Sequence, residues 1–130
     1  MGTSSPAANL GDRCAQFFQY SAAHAWDALA RLCAPDAVFA RNGRETDLDG
    51  LLAMVRGLTS SGIEYSYSNV RRTVAESDRR VVEQHRLTMR RGDGVEANAD
   101  ACVVLVFDAD DAIVRVDEYV DSAAFAPLLR

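Results

Sequence analysis

The segment Ile113-Val114-Arg115-Val116-Asp117-Glu118-Tyr119-Val120-Asp121 holds the arrangement of side chains best suited to chemistry. Successive side chains of a strand point to opposite faces. Val114, Val116 and Val120 then share one face, and Arg115, Asp117, Tyr119 and Asp121 share the other. Glu118 falls on the valine face. A carboxylate among apolar neighbours is the placement expected of a general acid or base. Its plainer role would be a core-edge glutamate paired with an arginine.

The same alternation supplies partners. Over Val81–Met89 one face carries Val82, Gln84, Arg86 and Thr88, and the other Val81, Glu83, His85, Leu87 and Met89. Over 37–41, Ala37, Phe39 and Arg41 share a face. An arginine turned into a half-apolar cavity can orient an acid or bind a substrate oxygen. Arg86 and Arg41 are the candidates, with a solvated strand arginine as the alternative for each. His85, beside Leu87 and Met89, reads first as a packing residue and second as an acid–base group. His24 lies between two helical stretches, where it reads as a cap.

All 14 basic residues are arginine, so no lysine is available as a Schiff-base former, general base or phosphate-loop cation. Arginine keeps its proton at working pH and can clamp or stabilise but not act as a base. Proton transfer falls to a carboxylate, a tyrosine or one of two histidines. With a formal net charge of −5 and arginines interspersed with acids, the chain is no candidate for nucleic-acid binding. Its apolar runs are far shorter than the ~20 residues of a membrane span. The first residues lack the pattern of a signal peptide. Cys14, Cys33 and Cys102 are widely spaced and form no CxxC pair, which reads as three reduced, buried thiols in a cytoplasmic protein and no zinc site.

The elements that must position these groups follow from periodicity. Residues 1–8 read as a flexible leader and 9–130 as one domain. Leu10, Cys14, Phe17, Phe18 and Ser21 have helical spacing over 9–23, and Trp26, Leu29, Ala30 and Cys33 over 25–33, where Pro35 ends the run. A short strand fits 37–41, followed by a turn at Asn42-Gly43. Asp49 is placed to cap a third helix reaching residue 59. From Ile63 the period becomes two, and strands over 63–74, 80–90, 95–108 and 112–121 are separated by turn sequences. A short helix fits Ser122–Leu129. The order predicts an α+β fold in which N-terminal helices pack on one face of a curved antiparallel sheet, with the doubly apolar Ala101–Phe107 as its central strand.

Trp26-Asp27-Ala28-Leu29, then Ala34-Pro35-Asp36-Ala37-Val38-Phe39, the Asp49-Gly50-Leu51 start of the third helix and the closing Ile113–Asp121 segment together resemble the SnoaL-like branch of the nuclear transport factor 2-like superfamily. The likeness runs from about Asn9 to the end. It implies a cone-shaped α+β barrel enclosing an apolar pocket, and a homodimer joined through the convex sheet face. Relatives include ketosteroid isomerases, polyketide cyclases, limonene epoxide hydrolase and non-catalytic binding modules, so the fold alone does not choose a reaction. Matched to the ketosteroid isomerases, this chain has Phe17, Arg41 and Val103 where that chemistry needs a tyrosine and two acids. Matched to the epoxide hydrolase, it has Phe39, Arg41 and Gln84-His85-Arg86, and only the last-strand acid persists, as Glu118.

The resemblance and the residues together imply a cofactor-free enzyme acting on a small apolar molecule by cyclisation, isomerisation, dehydration or hydration. Glu118 and Arg86 would be catalytic, the carboxylate as base and the guanidinium stabilising an enolate oxygen. Phe17, Tyr20, Trp26, Phe39, Arg41, Met54 and Gln84 would bind substrate. The alternative is a ligand-binding or dimerisation module of the same fold, in which the cone is closed and filled.

Overall fold

The structure, a computed structural model, is described for residues 9–129; the leader expected over 1–8 lies outside them. In chain order the elements are helices α1 (Asn9–Ala22) and α2 (Trp26–Arg31), strands β1 (Cys33–Arg41) and β2 (Arg44–Thr46), helix α3 (Leu48–Ser60), strands β3 (Ile63–Ala75), β4 (Arg80–Arg91), β5 (Glu96–Phe107) and β6 (Ile113–Val120), and a C-terminal 3-10 helix (Ser122–Leu129).

The strands form one open, six-stranded sheet in the order β2-β1-β6-β5-β4-β3. The α+β expectation holds, but the sheet is mixed rather than wholly antiparallel. β1 lies parallel beside β6, while the other neighbours are antiparallel. Alternation cannot reveal this direction, because it is set where α2 delivers the chain. Leu32 accepts from Ile113 N–H at 2.8 Å, so β1 and β6 start from the same edge. Pro35 lies within β1 rather than ending a helix. It occupies the irregular stretch between the Cys33–Ile113 and Val38–Arg115 pairs, where a missing N–H interrupts little.

The helical face read from α1 is the buried one: Leu10, Cys14, Phe17, Phe18 and Ser21 turn inward. They pack on Val81, Val103, Leu105, Phe107, Ile113 and Val116, of which Leu105 and Ile113 are fully enclosed. Burying a Leu or Ile side chain completely stabilises a fold by roughly 1.5–3 kcal/mol. The expected face of β6 needs one correction. Val106 pairs with Arg115 but Phe107 with Ile113, so Val114 is the extra residue, and Ile113 takes the interior place. Helix α3 is capped by Asp47 and not Asp49; the Asp47 carboxylate accepts from Gly50 N–H at 2.8 Å.

A second bulge changes which residues of β3 face inward. Ser68 pairs with Arg86 but Arg71 with Gln84, which leaves one extra residue at Asn69-Val70. Asn69 takes a φ of 54°, a conformation that asparagine adopts more readily than most side chains. Before the bulge Tyr65 and Tyr67 point inward. After it Arg72 and Val74 lie opposite the buried Glu83 and Val81.

All three cysteines are free; Cys14 is buried, while Cys33 and Cys102 are only partly so. Burial pushes the Cys14 thiol up to about 12 from an ordinary 9.0, with the Glu83 charge adding and Arg72 opposing. Burial raises Cys33 to about 12 as well. Both thiols keep their protons in the folded chain where the unfolded chain loses them, so stability falls as pH rises from 9.0 toward about 12. Urea midpoints measured across that window should decline, and Cys33→Ala should flatten the decline.

Candidate functional site

Between α1, α3 and the concave face of the sheet lies a cavity of about 720 Å³. Small-molecule sites span roughly 300–1,000 Å³. Its walls are mostly apolar, with Phe17 and Trp26 from the N-terminal helices, Phe39 from β1, Met54 and Leu58 from α3, and Leu87 from β4. Asn42, Arg44, Glu45 and Thr46 at the β1–β2 turn add polar atoms at one margin. Gly50 is needed where α3 meets this margin, since a Cβ there would stand 1.8 Å from Thr46 Oγ1.

Two polar centres interrupt the apolar wall. The first is Glu118 on β6, whose Oε1 accepts from Arg41 Nε at 2.6 Å. The two residues sit side by side because Arg41 and Glu118 are in register across the parallel β1–β6 pair. Asn42 fixes that register. Its N–H donates to the Glu118 carbonyl at 2.8 Å, its Nδ2 donates to the Val120 carbonyl at 2.8 Å, and its Oδ1 accepts from Val120 N–H at 3.0 Å. Glu118 Oε2 has no hydrogen-bond partner among the described residues. The carboxylate is therefore anchored through one oxygen and open through the other.

The second centre is a group of hydroxyls. Ser21 Oγ on α1 lies 3.0 Å from the Tyr65 hydroxyl and 3.2 Å from that of Tyr67, and Tyr65 also donates to the Ser21 carbonyl at 3.0 Å. All three residues line the cavity. Burial pushes the Tyr67 hydroxyl well above its ordinary value; the Ser21 bond opposes this, and Tyr65, Glu118 and Glu83 add to it. Burial likewise raises Tyr65. Both stay neutral and able to donate. This cluster was not among the residues singled out from sequence, although the Ile63-Tyr65-Tyr67 alternation put both tyrosines on one face.

Of the sequence-derived candidates, Phe17, Trp26, Phe39, Arg41, Met54 and Glu118 all line the cavity. Arg86, Gln84 and Tyr20 do not. Gln84 and Arg86 are on the outer face of β4, where Arg86 bonds Asn98 and Asp100. The alternation of β4 was read correctly, but its other face, with Glu83, His85, Leu87 and Met89, is the buried one. Tyr20 packs at the flank of the core. About 100° of rotation per residue carries it past the side of α1 that Phe17, Phe18 and Ser21 share. His24 stacks on Trp26, with ring centres 5.6 Å apart, and α2 is preceded by Ala25 with no side-chain cap.

A single lateral row ties the interior together. Arg41, Glu118, Val103, Glu83 and Arg72 are successive register partners across β1, β6, β5, β4 and β3. Glu83, fully buried, repeats the Glu118 arrangement: its Oε1 accepts from Arg72 Nε at 2.6 Å. Among the described residues no three His, Cys, Asp or Glu side chains are grouped to hold a metal ion. No helix there is long and apolar enough to cross a membrane.

The family model for the SnoaL-like domain matches residues 14–116. No curated protein matches the chain in sequence. Solved structures share its fold at low identity. One is a proposed polyketide cyclase from Xanthomonas campestris pv. campestris, with 13% identity and a TM-score of 0.84 over 97% of this chain and 100% of that one. Another is BvnE pinacolase from Penicillium brevicompactum, with 17% identity and a TM-score of 0.81 over 98% and 96%. PrhC from Penicillium brasilianum NBRC 6234 aligns with 12% identity and a TM-score of 0.82 over 96% and 88%.

The Asn42 clamp can be separated from its backbone shape. Asn42→Gly keeps the φ of 50° accessible but removes both side-chain bonds to Val120. With each bond contributing about 1 kcal/mol, the variant should lose about 2 kcal/mol of unfolding free energy in urea titrations.

Proposed function

The chain belongs to the SnoaL-like domain family, and from that premise we propose that it is an enzyme performing cofactor-free acid–base chemistry on a small, largely apolar organic molecule. The reaction class is proton transfer at an activated carbon, leading to cyclisation, isomerisation, dehydration or hydration. One observation carries this reading. A carboxylate stands in the wall of a mostly apolar cavity, held by an arginine through one oxygen and, among the described residues, unpartnered at the other.

In this reading Glu118 Oε2 takes a proton from carbon beside a carbonyl, and the Glu118 carboxyl later returns one. Arg41 takes the part first assigned to Arg86. Its guanidinium holds and orients the carboxylate, and its remaining N–H groups favour negative charge developing on a nearby substrate oxygen. The hydroxyls of Tyr65, Tyr67 and Ser21 offer a second place for a substrate oxygen. The alternative of a non-catalytic module expects a filled cone, whereas about 720 Å³ is open here. The reading also carries a homodimer through the outer sheet face, where Tyr119 is 53% exposed. Sedimentation equilibrium should give twice the mass of one chain, and Tyr119→Arg should lower it.

An enolisable bicyclic ketone such as 2-tetralone tests the chemistry directly. In D2O the wild-type protein should accelerate exchange of its α-protons, read by proton NMR. General acid–base groups contribute about 10²–10⁴-fold, so Glu118→Gln should lose most of the acceleration. A variant that exchanges as fast as wild type would remove Glu118 from the mechanism.

A further inference from the structure

The chemistry assigned to Glu118 leaves one buried set of titratable groups unused. His85 and Glu83 are adjacent on the inner face of β4, and both side chains are fully enclosed. Glu83 Oε1 is taken by Arg72 Nε at 2.6 Å and approached by the Cys14 thiol at 3.7 Å. Glu83 Oε2 lies 2.5 Å from His85 Nδ1. A carboxylate paired with arginine accepts, so Nδ1 donates, and Nε2 is left as the ring's other hydrogen-bonding atom. That Nε2 is buried and has no hydrogen-bond partner among the described residues.

A core does not need this arrangement. Two apolar side chains of similar volume at positions 83 and 85 would avoid both the desolvated carboxylate and the unsatisfied nitrogen. The surroundings show what could satisfy it. The His85 ring packs on Phe18, with centres 5.0 Å apart, and on Tyr67, with centres 4.6 Å apart. Phe18 and Tyr67 both line the cavity. Across β5 the partner of His85 is Ala101, whose small side chain brings no polar atom. His85 itself stands behind that wall and is not among the residues lining the cavity; with Arg71, Arg86 and Asp100 it borders a second hollow beside the β3 bulge. The charged and titratable groups around it are Glu83 on its own strand, Arg72 and Tyr67 on β3, Cys14 on α1, and Arg71, Arg86 and Asp100 about that hollow.

Resting on the reading of the cavity as a small-molecule site, we propose that His85 Nε2 is a second ligand-binding atom of that site, hydrogen-bonded to a hydroxyl group of the bound molecule that reaches it past the wall formed by Phe18 and Tyr67. Tyr67 is the residue that must yield, and its tether to Ser21 is a single hydroxyl contact of 3.2 Å. Glu118 and Glu83 are two strand spacings apart, roughly 10 Å, and His85 lies two residues, roughly 7 Å, further along β4. The ligand class is then a phenol or enol of two or three fused rings. Its hydroxyl would rest at His85 and its reacting carbon near Glu118.

2-Naphthol serves as the probe, with binding followed by its fluorescence and His85 by ¹⁵N NMR of the imidazole nitrogens. In wild-type protein the probe should shift the Nε2 resonance of His85 and leave that of Nδ1 nearly in place. The double variant Glu83→Leu, His85→Phe removes the ion pair and the unsatisfied nitrogen together, and Arg72, with a third of its side chain exposed, can turn to solvent. It should melt at the same or a higher temperature and bind 2-naphthol about tenfold more weakly, as loss of one hydrogen bond implies. Uptake of the probe with an unmoved Nε2 resonance, or a double variant of full affinity, overturns the proposal and leaves the cavity reading standing. Failure of the wild-type protein to take up the probe overturns both. If the double variant does not fold, the wild-type resonance decides alone.

Discussion

An ionised carboxylate cannot stay inside an apolar cone without a cation beside it, and arginine is the only permanent cation this chain has. The interior is arranged around that constraint. Glu118 and Glu83 stand in one row of the sheet, separated by Val103, and each is closed off on its outer side by an arginine from the next strand. The pairs differ in one respect that decides their use. The Glu118 side chain is 18% exposed and keeps an oxygen free, whereas Glu83 is sealed and has both oxygens engaged. One carboxylate can meet a substrate, and the other can only hold its neighbours.

Several devices exist to keep this row in line. The parallel β1–β6 pair brings Arg41 to Glu118, and it depends on α2 ending where Leu32 can receive the first N–H of β6. Asn42 then clamps the far end, its amide imitating a strand backbone against Val120. Arg72 reaches Glu83 only because β3 gains a residue at Asn69-Val70. None of these contacts is itself a catalytic contact; together they set which side chains the row brings side by side.

Strand alternation alone was enough to put Glu118 with Val116 and Val120 and Arg41 with Phe39, since a period of two has only one outcome within a regular strand. It could not say which face of β4 is inside. Two polar residues, Glu83 and His85, occupy the buried side, so the Gln84–Arg86 face looked no worse a candidate for the cavity, although Leu87 and Met89 pointed the right way. The bulges were not legible either. Nothing in the spelling around Asn69 announces an extra residue beyond asparagine's tolerance of positive φ, and Val114 looked like any other valine of an alternating run. Strand direction was equally hidden, because parallel and antiparallel neighbours can share the same pattern of faces.

The inserted residue in β3 also divides that strand by purpose. Ahead of it, Tyr65 and Tyr67 face the cavity; beyond it, Arg72, itself partly exposed, reaches the buried Glu83. A continuous strand would have carried one phase through both halves and set Arg71, not Arg72, opposite Glu83. The inserted residue thus lets one strand present hydroxyls to the cavity at one end and a guanidinium to a buried acid at the other.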